Sequence, residues 1–76
     1  MPNLPHLSGR EIIRALERLG FVQARQRGSH VVMKKSRPEG SVGCVVPMHS
    51  EVAIGTLHSI LKQAKVSPDE FVKAVK

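Results

Sequence analysis

The chain has 76 residues, a formal net charge of +6 and a pI near 10.3. A chain of this length is expected to form one small domain, residues 1–76, around an aliphatic core, because Phe21 and Phe71 are its only aromatics. The lone cysteine, Cys44, excludes an internal disulfide, and no apolar run reaches the length of a membrane span or a signal peptide core, so a cytoplasmic chain is expected.

Residues 1–7, MPNLPHL, hold two prolines and no periodicity, and read as an extended lead-in. Ser8 and Glu11 then stand at the spacing of a capping box, in which each side chain satisfies the other residue's backbone N–H. Ile12, Ile13, Leu16 and Leu19 follow at helical spacing, and Gly20 occupies a C-cap glycine position, so a helix is predicted over about 9–19. Three short strands are predicted next, over about 21–27, 30–35 and 42–47, broken by Gly28–Ser29 and by SRPEGS, and ended by Pro47. Short connections make them an antiparallel meander. Leu57, Ile60, Leu61 and Ala64 predict a second helix over about 54–64. Ser67, Pro68 and Glu70 then start a short last helix as N-cap, first helical residue and box partner. Two amphipathic helices need one common surface, which one face of the sheet supplies, leaving the other face open.

The charge is lopsided. Residues 10–37 carry Arg10, Arg14, Arg18, Arg25, Arg27, Lys34, Lys35 and Arg37 against Glu11 and Glu17, whereas residues 39–76 balance. A one-sided basic surface suits a polyanion, and a solvated basic surface is the bland alternative. Arg10, Arg14 and Arg18 recur every four residues and so form one ridge of the first helix. The histidines and Cys44 form no close pair such as CxxC or HxxxH, and Cys44 reads as a buried thiol. Ser29 adjoins His30, but neighbouring strand residues point to opposite faces, which argues against a serine nucleophile served by that histidine.

His30 stands among cations in RQRGSHVVMKK. An isolated imidazole titrates near a pKa of about 6.5, so it exchanges protons at cellular pH. RNA carries its own nucleophile, the 2′-hydroxyl, and a histidine that takes its proton needs no metal. Surrounding cations can stabilise the charge that develops on the phosphate. On the residues alone a structural histidine and a general base both remain open. Strand alternation places His30, Val32 and Lys34 on one face and Val31, Met33 and Lys35 on the other, unless a bulge at Gly28–Ser29 shifts the register.

GSHVVMKK, the strand end VVPMH and the helix GTLHSILKQ, taken as a set with the preceding helix and glycine, resemble the HicA (YcfA-like) family of bacterial toxin mRNA interferases. The resemblance spans about residues 8–72. It implies an α+β fold of order α-β-β-β-α plus a short C-terminal helix, with helices on one face of a three-stranded antiparallel sheet, similar to a double-stranded-RNA-binding domain. It also implies cofactor-free and metal-independent mRNA cleavage, and a HicB-type antitoxin as partner. The family's catalytic histidine falls on His30, with Gly28 and Ser29 as the first two residues of its motif. His49 matches the histidine after VP and is either a substrate contact or a loop cap.

Arg25, Arg27 and Lys34 are the expected phosphate ligands, followed by Lys35 and Arg37. With no Tyr or Trp for base stacking, contact with phosphate and ribose, weak sequence preference and strong salt dependence are expected. Two rivals stay open: a non-catalytic RNA-binding module, and a subunit whose basic face binds an acidic protein.

Overall fold

The computed structural model describes residues 4–75; the first three residues of the expected lead-in, and Lys76, lie outside them. The element order is α1 (Gly9–Arg18), β1 (Val22–Arg27), β2 (His30–Lys35), β3 (Val42–Pro47), α2 (Ile54–Ala64) and α3 (Pro68–Val75). The strands form one antiparallel sheet in the order β1-β2-β3. This is the expected α+β arrangement.

Local chemistry sets the element ends. At α1 both halves of the capping box are made: the Glu11 N–H donates to Ser8 Oγ at 3.1 Å, and the Ser8 N–H donates to Glu11 Oε1 at 2.9 Å. Gly20, at φ 98°, turns the chain out of the helix into β1. Ser67 and Glu70 repeat the reciprocal cap at the start of α3. The end of α2 has no glycine; Lys65 itself takes the left-handed conformation, at φ 56°, and Val66 donates back to Leu61 O.

The core lies between the sheet and the helices. Val31 and Met33 of β2 and Cys44 and Val46 of β3 point into it, where they meet Ile12 and Leu16 of α1, Leu57, Ile60 and Leu61 of α2, and Phe71 of α3. Burial of this kind contributes roughly 25 cal/mol per Å² of apolar surface, and among the described residues no charged or polar one shares the interior. Leu7 closes the same core through a bridge to Val52, so the end of the lead-in is pinned. Arg18 donates to Ala74 O at 2.7 Å and ties the end of α3 to α1.

The helices stop short of one strand. All six residues of β1 are exposed, whereas β2 and β3 alternate between core and solvent. The register explains which way each β1 side chain points. Val22 pairs with Lys34 and Gln23 with Met33, but Arg25 pairs with Val32, so Ala24 is an extra residue in the strand. The bulge falls there and not at Gly28–Ser29, which form the two-residue turn between β1 and β2. Gly28 has φ 54°, whereas Ser29 keeps a negative φ, the sign pattern of a II′ hairpin turn.

Candidate functional site

Directly paired residues on antiparallel strands share a face. The open face of the sheet therefore carries Val22, Arg25 and Arg27 of β1, His30, Val32 and Lys34 of β2, and Gly43, Val45 and the covered Pro47 of β3. Strict alternation from Val22 would put Ala24 and Gln26 on this face and send both arginines to the helix side. The extra residue at Ala24 reverses that, and sets Arg27 opposite His30 and Arg25 opposite Val32.

His30 is exposed at the first position of β2. Its Nδ1 lies 3.5 Å from Ser29 Oγ, a contact at the limit of hydrogen bonding. The alternation expected of neighbouring strand residues does not apply here, because Ser29 belongs to the turn. No carboxylate is paired with His30 among the described residues, where the one ion pair is His6 with Glu51 at 3.9 Å. The hairpin is held from the other side by Met48, whose N–H donates to Ser29 O at 2.6 Å.

Of the residues expected at the site, Arg25, Arg27 and His30 come together, with Gly28 and Ser29 forming the turn beside them. Lys34 shares the face but stands four residues farther along β2, about 13 Å at the rise of a strand. Lys35 turns to the helix side. Its Nζ donates to Leu19 O at the end of α1 at 2.7 Å, and lies 5.9 Å from the centroid of the Phe21 ring. Its charge therefore faces the end of the α1 dipole and not the open face. Arg37 lies in the β2–β3 turn, at the end of the sheet away from His30.

His49 is exposed just past β3, and its backbone carbonyl accepts the Gly9 N–H at 2.9 Å. It thus anchors the start of α1 through its main chain, and it lines a shallow cleft with Ser8, Arg10, Met48 and Ser50. Its main chain therefore has a structural role at the start of α1, while its side chain remains exposed. Gly9 was not singled out by the sequence reading. A Cβ at that position would lie 2.1 Å from Pro47 O, so α1 docks on the end of β3 only because the residue is glycine. Cys44 is buried, and desolvation pushes its thiol up to about 11, which leaves it protonated and unreactive. No group of three His, Cys, Asp or Glu residues able to hold a metal occurs among the described residues.

An exposed histidine is thus paired across a hairpin with an arginine on an α-β-β-β-α scaffold. The family model described as "HicA toxin of bacterial toxin-antitoxin" matches residues 9–66. The chain belongs to the HicA toxin family. No curated protein matches it. The HicA match runs from the first residue of α1 through the turn after α2, and so contains the whole open face; α3 lies beyond it. As a HicA toxin the chain is one member of a toxin–antitoxin pair. No helix among its described residues is long and apolar enough to cross a membrane.

Proposed function

We propose that this HicA toxin is a metal-independent endoribonuclease that cleaves mRNA on the open face of its sheet, with His30 as general base. The observation that carries the reading is the pairing of exposed His30 with Arg27, with Arg25 next on the same face. His30 takes the proton of a ribose 2′-hydroxyl, whose oxygen attacks the adjacent phosphorus. The bond from phosphorus to the 5′-oxygen breaks as the bond to the 2′-oxygen forms, and the leaving oxygen takes a proton from the imidazolium. The products are a 2′,3′-cyclic phosphate and a 5′-hydroxyl end. Arg27 and Arg25 stabilise the negative charge that gathers on the phosphate oxygens, and Lys34 holds the strand farther along. The RNA supplies the nucleophile, so the reaction needs no cofactor.

The partner is a HicB-type antitoxin that presents an acidic surface to this face. Complementary potential speeds such an association and covers the histidine. The test uses purified toxin and a long RNA with EDTA present. His30→Ala is expected to bind RNA within a few-fold of the parent and to cut none of it. On induction in growing cells, the parent is expected to arrest growth and the variant not. Equal cleavage by parent and variant would sink the catalytic assignment. Binding without cleavage by both would leave a non-catalytic RNA-binding module.

A further inference from the structure

The helix side of β1 carries a second polar surface that the His30 site does not use. Because α1 leaves β1 uncovered, a groove of about 270 Å³ opens between them, edged by Arg10, Arg14 and Glu17 of α1 and by Gln23 and Gln26 of β1, with Val31 at its floor. The ridge of three arginines expected on α1 is divided by the fold. Arg18 is engaged by the carbonyls of Ala74 and Val75, whereas Arg10 and Arg14 face the groove and form no ion pair among the described residues. Gln26 donates its Nε2 to Gly28 O at 3.2 Å, which fixes the amide and leaves its oxygen as an acceptor. Gln23 makes no side-chain hydrogen bond among the described residues. The groove shares Arg10 and Met48 with the cleft of His49, and the Met48 N–H is bonded to the turn next to His30.

We infer that this groove is a second RNA subsite, holding a single-stranded nucleotide that flanks the scissile one. Arg10 and Arg14 take its phosphate. Gln23, the Gln26 oxygen and Glu17 read the edge of its base. Two unpaired guanidinium groups fit a phosphate better than a neutral ligand. An amide offers both a donor and an acceptor to an unstacked base, and a carboxylate accepts from amino groups such as that of cytosine. The groove has no aromatic side chain, so the base is held by its edge and not by stacking. The strand then crosses the β1–β2 hairpin turn, with one nucleotide on each side of the sheet. This departs from the weak sequence preference expected of a chain without Tyr or Trp, because base reading here comes from amides.

The subsite rests on the endoribonuclease reading for the position of the cut, but its first test does not. Binding of a 2′-O-methyl RNA oligonucleotide, which lacks the nucleophilic hydroxyl, is followed by fluorescence anisotropy over a range of salt. The double variant Arg10→Ala/Arg14→Ala is expected to lose at least about tenfold in affinity at low salt. Its log–log salt slope should shrink by about 0.7, the value for one neutralised phosphate on a single strand. Both arginines are exposed, and circular dichroism checks that the variant is folded. Unchanged affinity and slope overturn the subsite. An equal loss of affinity for polyglutamate, an acidic polypeptide probe, also overturns it, because the arginines then bind any polyanion. In a second arm, Gln23→Ala is expected to keep affinity within about threefold and to redistribute the cuts along a long RNA. An unchanged cut pattern removes the base-reading role. If the parent cuts no RNA, the endoribonuclease reading fails while the binding arm still decides the subsite.

Discussion

Arg27 is the direct cross-strand partner of His30, and it reaches that position because of one extra residue, Ala24, in β1. Without the bulge the chain would alternate from Val22 in a way that points both Arg25 and Arg27 to the helix side. Nothing about an alanine in a strand announces this. The bulge re-aims two cations at once, which is how bulges commonly act beside functional sites.

Removing Arg27 should therefore act differently from removing Lys34. Arg27→Ala is expected to lower the cleavage rate by about tenfold to a hundredfold, since the proposed mechanism puts its charge beside the developing phosphate charge. Lys34→Ala, about 13 Å away along β2, should raise KM and reduce the salt slope by about 0.7 with kcat nearly intact. Single-turnover and steady-state rates on one RNA substrate separate the two outcomes. Equal effects on kcat would mean that position on the sheet does not divide their roles.

Lys35, one residue on, should behave as a structural residue. Its ammonium is bonded to Leu19 O and lies over Phe21. Lys35→Met is expected to lower stability by about 1 kcal/mol in urea unfolding, the scale of a partly buried hydrogen bond. The change in RNA affinity should be smaller than that of Lys34→Ala. A stability equal to the parent would contradict the contact.

Gly9→Ala should be among the most costly single-methyl additions in the chain. The new Cβ would lie 2.1 Å from Pro47 O and 2.9 Å from Met48 Cα, both backbone atoms that cannot swing aside. A loss of about 1–3 kcal/mol is expected from such overpacking. The same displacement would loosen the Gly9–His49 backbone bond and the hairpin anchored through Met48. Thermal unfolding and hydrogen exchange at Gly9 and Met48 check both effects.

Cys44 should resist alkylation by iodoacetamide at pH 8 in the folded protein and react on unfolding. Burial raises its thiol from 9.0 to about 11. The folded state therefore holds this proton to higher pH than the unfolded chain does. The contribution is fully present below pH 9 and is lost as pH rises towards about 11, to an extent of about 2–3 kcal/mol. Comparing urea midpoints of the parent and Cys44→Ala at pH 8 and pH 11 isolates it, since the other titrating groups cancel. A difference that stays constant with pH would refute the linkage.

The elements were legible because their signals are local. The Ser8–Glu11 and Ser67–Glu70 boxes, the helical spacing from Ile12 to Leu16 and from Leu57 to Ala64, and the Gly28–Ser29 turn each depend on residues a few positions apart. Period-two alternation was enough to put His30 and Lys34 on one face of β2 and Lys35 on the other. A phosphate contact for Lys35 conflicts with that same alternation, and the density of charge in RQRGSHVVMKK does not change which face a side chain takes.

Cross-strand relationships lay beyond that reach. Alternation orders one strand but does not say where its neighbour carries an extra residue, so the pairing of Arg27 with His30 needed the register of two strands. The close docking of Gly9 on Pro47 joins residues far apart in the chain and leaves no periodic trace. The groove between α1 and β1 exists because the helices pack over β2 and β3 and stop before β1. Hydrogen bonding and hydrophobic periodicity within short windows determine which elements form and which residue types they carry. The distances between windows, and hence which cations surround one histidine, are set only when the whole chain packs.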